Sequence, residues 1–98
     1  MTRSIAFTPA ARQEAIEAFD WYALRASNMG VAFQDEIDRQ VARVLESPHQ
    51  FPAVAKDIFR ARLRRFPYSL FFKIAGEKIV VIACFHASRN PRHWKRRT

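Results

Sequence analysis

Between Phe59 and Arg64 the chain alternates strictly, with Phe59, Ala61 and Leu63 on one parity and Arg60, Arg62 and Arg64 on the other. A period of two marks a half-buried strand. Its second face here carries three guanidinium groups. Pro67 has no N–H to donate, so the ladder ends or bulges there. Tyr68–Ile74 and Lys78–Phe85 are rich in aromatic and β-branched residues, and Ala75-Gly76-Glu77 between them reads as a hairpin. The pattern predicts a three-stranded antiparallel meander, cationic over part of its surface.

Upstream the period changes. Ser4–Phe7 is a short apolar segment able to add a strand to the sheet. Thr8 offers a side-chain oxygen as N-cap, with Pro9 at the first helical position. From there to about Ala26, the residues Ala15, Ile16, Ala18, Phe19, Tyr22, Ala23 and Ala26 share one helical face. Glu14, Glu17 and Asp20 lie opposite. Trp21 and Leu24 fall on that acidic side, where either another element covers them or a partner docks. Ser27-Asn28 is expected to cap a second helix running to about Glu46. Phe33, Ile37, Val41, Val44 and Leu45 form its apolar stripe, and Pro48 stops it. The connection is too short for anything but an antiparallel helical hairpin. His49–Ala55 reads as a loop and Val54–Asp57 as the lead into the sheet.

The order β-α-α-β-β-β predicts an α+β fold, one domain over residues 1–98. A short N-terminal strand and an antiparallel helical hairpin pack on an antiparallel sheet. Leu63, Phe72 and Ile82 are expected to interlock with Phe19 and Ile37. No apolar run approaches the ~18 residues of a membrane helix, and the N-terminus lacks the apolar core of a signal peptide, so a cytoplasmic location is expected. The single cysteine, Cys84, has no internal partner and reads as a small buried side chain.

Charge sharpens the picture. Residues 1–57 hold six Lys/Arg and eight Asp/Glu, whereas residues 58–98 hold eleven Lys/Arg and one acid, Glu77. A half this basic calls for an anionic partner, nucleic acid or acidic protein. Several chemistries are excluded. There is no Gly-rich phosphate loop among two glycines, His49, His86 and His93 lack metal-ligand spacing, and no nucleophile triad is assignable. No metal or cofactor is implied. One catalytic constellation fits the residue types. Cleavage of RNA by 2′-OH attack needs a base, cations for the phosphorane and an acid. Arg62, Arg64, Lys73, His86 and Arg89, with Arg92 and His93, supply such types.

The run Arg64-Arg65-Phe66-Pro67-Tyr68, then Leu70-Phe71-Phe72, then His86, Arg89, Pro91 and Trp94, resembles the RelE/ParE superfamily of bacterial toxins. The resemblance extends back through Ser47-Pro48, Phe51-Pro52, Gly30, Phe33 and Trp21-Tyr22, and so covers nearly the whole chain. It implies the fold just described and two alternative activities. RelE-like members are ribosome-dependent ribonucleases that use basic residues of the sheet and a C-terminal tyrosine. Here Ser69 stands where those nucleases often place an arginine. The C-terminal aromatic is Trp94, a donor without acid–base chemistry. Both departures favour the ParE branch, whose members inhibit DNA gyrase.

The resemblance also implies a type II toxin–antitoxin pair. A cognate antitoxin would wrap the toxin, form a hetero-oligomer with it and carry the part that reads operator DNA. Target binding would fall to Arg60, Arg62, Arg64, Arg89, Arg92 and Trp94, and antitoxin binding to Trp21, Leu24, Arg64 and Lys73. A non-toxic module that keeps only antitoxin or nucleic-acid binding is the remaining alternative. Each of these residues also has a structural reading. His86 shares the parity of Val80, Ile82 and Cys84 and suits a hydrogen-bonded structural histidine. Arg89 suits an ion pair with a helix carboxylate, Arg60, Arg62 and Arg64 a guarded strand surface, and Trp94 a packing anchor.

Overall fold

The computed structural model describes residues 3–89 and Arg97. Strand β1 (Ser4–Phe7) leads into helix α1 (Pro9–Arg25). The Thr8 hydroxyl accepts the Ala11 N–H at 3.1 Å, and Pro9 takes the first position, where a missing N–H costs nothing. Helix α2 (Ser27–Glu46) follows after one residue, Ala26, whose extended backbone (φ −163°, ψ 126°) ends one helix and starts the next. Ser27 is therefore the first helical residue rather than a capping side chain, and α2 has no side-chain cap. At Gly30 a Cβ would lie 2.9 Å from the Ala23 Cβ and 3.3 Å from the Phe19 ring. Glycine lets the hairpin close. At the far end Arg3 donates to the Leu45 and Glu46 carbonyls at 3.0 and 2.9 Å. It satisfies last-turn acceptors and places a cation at the negative helix end.

A 3₁₀ turn (Pro48–Gln50) precedes β2 (Ala53–Ala55), β3 (Ile58–Arg62), β4 (Tyr68–Ala75) and β5 (Lys78–His86). These form one five-stranded sheet in the order β1-β5-β4-β3-β2. The meander is as expected, and Gly76 turns it at φ 60°. The sheet, however, is mixed, because β1 runs parallel to β5. The two helices carry the chain from β1 at one edge of the sheet to β2 at the other, and the antiparallel strands then step back until β5 lies beside β1. The segment read as a loop also contributes a strand. Ala53–Ala55 pairs with β3 across a tight turn in which Asp57 adopts φ 84°. Alanine carries little strand propensity, so Val54 alone marked the segment as extended. Strand β3 stops at Arg62, two residues short of the alternating run.

The β4–β5 ladder shifts register: Phe71 pairs with Ala83 and Phe72 with Val81, leaving Ile82 as an extra residue. Before this bulge the odd positions of β5 face the helices, and after it the even ones do. Ile79, Val81 and Cys84 therefore pack with Ala61, Leu63, Leu70 and Phe72 against Phe33, Ile37 and Val44 of α2 and Ala11, Ala18 and Tyr22 of α1. Ile82 lies on the other side of the sheet, with Ile58, Phe71, Ala83 and Phe85. The expected contact of Ile82 with Phe19 and Ile37 is thus replaced by a second apolar layer. Both layers are closed, with Phe72 fully buried and Ile82 4% exposed.

Candidate functional site

Arg60 and Arg62 project from β3 on the side away from the helices, opposite Phe71 and Ser69 of β4. With Phe85, His86 and Arg89 they line a cleft of about 240 Å³. Two aromatic rings form an apolar wall, three guanidiniums and a hydroxyl supply hydrogen-bond donors, and His86 borders the cleft at the end of β5. Arg60 Nε is buried without a hydrogen-bond partner among the described residues. Nδ1 of His86 accepts the Ser88 N–H at 3.0 Å and lies 2.8 Å from Ser88 Oγ. The neutral ring therefore carries its proton on Nε2. The ring also stands edge-on to Tyr68 at 5.2 Å. His86 is exposed, so the structural reading holds for its bonding but not for burial. Burial, reinforced by neighbouring Tyr22 and Cys84, pushes the Tyr68 hydroxyl above its ordinary 10.0. Tyr68 stays protonated at neutral pH.

The turn after β3 is held by a residue that sequence reasoning missed. Glu36 of α2 is 2% exposed. One carboxylate oxygen accepts the Arg64 backbone N–H and the Gln40 amide; the other pairs with Arg39. Burial pushes this carboxyl up, but those bonds outweigh it and hold it below its ordinary 4.5. Arg65 next door adopts φ 69°, and Phe66 packs between Tyr22 and Phe33 at 4.9 and 5.3 Å. This geometry ends β3 and turns the Arg64 and Arg65 side chains to solvent. The signal was legible: position 36 falls on the stripe of Phe33, Ile37, Gln40 and Val44, where an acid must be satisfied internally.

Glu14 also departs from expectation. It is not on a solvent face but is half-buried, accepting the Cys84 N–H at 3.0 Å and pairing with Arg97 at 2.7 Å. Arg89 stands 4.0 Å from the same carboxylate and 4.3 Å over the Phe85 ring. The ion-pair reading of Arg89 is therefore the observed one, although its side chain remains 43% exposed. Burial, with Glu14 adding to it, pushes the Cys84 thiol up to about 12. Cys84 is inert.

Of the cationic residues singled out, the cleft gathers Arg60, Arg62, His86 and Arg89. Lys73 pairs with Val80 whereas His86 pairs with Tyr68. Five residues of strand separate the two, roughly 17 Å at ~3.4 Å per residue. Arg64 is on the turn. Arg92 and Trp94, with His93, lie outside the described residues. Trp21 and Leu24 are 49% and 85% exposed, which overturns the reading that another element covers them; Arg25 stacks on the Trp21 ring at 3.4 Å. Two further hollows flank α1. One of about 230 Å³ involves Glu14, Glu17, Trp21, Tyr68, His86 and Arg89, so His86 and Arg89 border two clefts. The other, about 530 Å³, is an apolar groove between α1 and α2 lined by Phe7, Ala15, Ile16, Phe19, Ile37 and Val41. Among the described residues no three His, Cys, Asp or Glu side chains cluster as metal ligands do, and no helix is long and apolar enough to cross a membrane.

Residues 5–91 match the family model of the ParE toxin of the type II toxin–antitoxin system parDE. The chain belongs to this family. Among solved structures, a chain of the chromosomal ParDE TA system from P. aeruginosa superposes with TM-score 0.74 at 21% identity, over 87% of this chain and 96% of that one. The isolated E. coli RelE toxin superposes with TM-score 0.64 at 19% identity, over 98% and 95%. At those identities the likeness is one of fold, and it places this ParE-family chain within the wider RelE/ParE architecture. No curated protein matches the sequence.

Proposed function

We propose that this ParE-family chain is the toxin of a type II toxin–antitoxin pair, that it acts in the cytoplasm by binding and arresting DNA gyrase, and that a cognate antitoxin neutralises it. The family match over residues 5–91 carries the reading. The geometry supports binding over catalysis: Lys73 stands away from the cleft, Tyr68 is held protonated, and His86 has one ring nitrogen engaged by Ser88. What the cleft offers a target is fixed positive charge beside two aromatic rings. The apolar groove between the helices suits the apolar face of an amphipathic antitoxin helix, and the exposed Arg64 suits its acidic residues, with half-buried Lys73 beyond. Trp21 and Leu24 extend the antitoxin surface. Operator DNA would be reached only through the antitoxin.

One observation favours a second reading. Arg62, His86 and Arg89 share one cleft, which is the start of a phosphate-binding constellation for a RelE-like mRNA endonuclease. Purified protein incubated with gyrase and relaxed plasmid, and separately with a translating extract, separates the two. Loss of supercoiling supports the proposal; cleaved mRNA with unimpaired supercoiling overturns it for the nuclease. Neither effect would leave a non-toxic antitoxin-binding module.

A further inference from the structure

Strand β1 covers β5 only as far as Val81. There the chain turns into α1, and the Thr8 N–H donates to the Val81 carbonyl at 2.9 Å. Beyond this point side chains take over from a strand. Glu14 Oε1 accepts the Cys84 N–H at 3.0 Å, and Arg97 donates to the Ile82 carbonyl at 2.9 Å. The two side chains are joined by a two-point fork at 2.9 and 2.7 Å. Arg89 approaches the same carboxylate at 4.0 Å, and both guanidiniums lie over the Phe85 ring, at 4.3 and 4.9 Å. One carboxylate, 11% exposed, is thus shared by a strand edge and two cations.

We infer that Glu14 is a positioning residue, a clasp that closes the edge of β5 and fixes the charges of Arg89 and Arg97 beside the clefts that His86 borders. Two guanidiniums held over one ring repel each other, and Glu77, the one acid in the chain after Asp57, stands at the other end of β5. Among the described residues the carboxylate that meets both is Glu14, delivered by α1. The fork is directional as well as strong, because both oxygens meet a planar donor pair. A neutral side chain at position 14 would release Arg97 and leave Arg89 without its counter-charge. The functional consequence rests on the target-binding role proposed above for Arg89; the clasp itself does not.

The test compares the full chain with Glu14→Gln and, as a control on the exposed side of α1, Asp20→Asn. Stepwise release of Thr98 and then Arg97 by a carboxypeptidase of broad specificity is followed by mass spectrometry, and growth arrest is scored on expression in cells. Arg97 should leave Glu14→Gln about tenfold faster or more, since ~1.4 kcal/mol is within the worth of one charge-assisted hydrogen bond. Asp20→Asn should match the wild type. Growth arrest should weaken in Glu14→Gln although the variant is more positive, the reverse of what overall charge would give. Equal release rates would overturn the clasp. Faster release with undiminished arrest would overturn the positioning of Arg89. If the wild-type chain arrests nothing, the target-binding role fails instead, and the release rates still decide the clasp.

Discussion

Replacing Glu36 tests whether a buried charge can be the device that shapes an exposed cationic turn. Its carboxylate meets three donors: the Arg64 N–H, the Gln40 amide and the Arg39 guanidinium. Glu36→Ala strands the first two inside the protein, at ~1–3 kcal/mol each. The Arg39 side chain, 59% exposed, rehydrates at little cost. A loss of ~3–5 kcal/mol follows, a large part of the ~5–15 kcal/mol of a typical domain. Glu36→Gln keeps one acceptor oxygen for the Arg64 N–H and the Gln40 amide, losing the charge assistance of those bonds at ~1 kcal/mol each. It also turns an NH2 donor toward Arg39, whose exposed guanidinium goes to water; easier burial offsets part of the loss. Its expected cost is ~1–2 kcal/mol. The carboxyl is held below its ordinary 4.5 in the folded chain. Its contribution is therefore present above that value and lost as pH falls through the folded value. Urea unfolding of the wild type should weaken below pH 4.5 more steeply than that of Glu36→Gln, and the two curves should converge in acid. A Glu36→Gln protein as stable as wild type at pH 7, or one with an unchanged acid limb, would refute the argument.

Other outcomes follow from the same structure. Ile82→Ala should cost ~2–5 kcal/mol in chemical denaturation, because the side chain is buried. Its coupling to Ile37→Ala should be below ~0.5 kcal/mol, since the two residues occupy opposite faces of the sheet; strong coupling would restore the single-core packing. Arg65→Gly should gain ~0.5–1 kcal/mol by relieving the left-handed backbone at φ 69°, and a loss of stability would show that the Arg65 side chain holds the turn. His86→Gln should leave growth inhibition largely intact, whereas a catalytic acid or base contributes ~10²–10⁴ in rate. Arg89→Glu should abolish inhibition in a protein still folded by circular dichroism. The opposite pair of results would favour the nuclease.

The elements were legible because local chemistry determines them. Thr8-Pro9 starts a helix wherever it stands, and the Phe59–Leu63 alternation has one sensible strand reading. Pairing was less so. Nothing in Ser4–Phe7 names β5 as its neighbour, since propensity reports that a segment is extended and not what lies beside it. The bulge at Ile82 is a property of two strands together, so the parity of β5 alone assigned Ile82 to the wrong layer and grouped His86 with it. Cys84 and His86 face the helices only because the register has shifted. Glu14 fell on the acidic side of a helical wheel, which counts charges but not the strand edge waiting beside them. Trp21 and Leu24 broke the wheel's rule openly. Their exposure is the part of the pattern that points outward, 49% and 85% open to solvent.

The parallel pairing of β1 with β5 has a temporal consequence. Ser4 is aligned with Lys78, so the contact that joins the two ends of the sheet spans most of the chain. Moreover, β5 is an interior strand, flanked by β1 on one side and β4 on the other. During synthesis, everything up to Glu77 emerges before the strand that both neighbours require. The α-hairpin and the β3–β4 pair can form early from near-sequence contacts, but their apolar surfaces stay open until β5 slots between them. The nascent sandwich therefore stays incomplete until β5 has emerged, and the cationic cleft, which takes Phe85, His86 and Arg89 from that strand and just beyond it, cannot assemble before then.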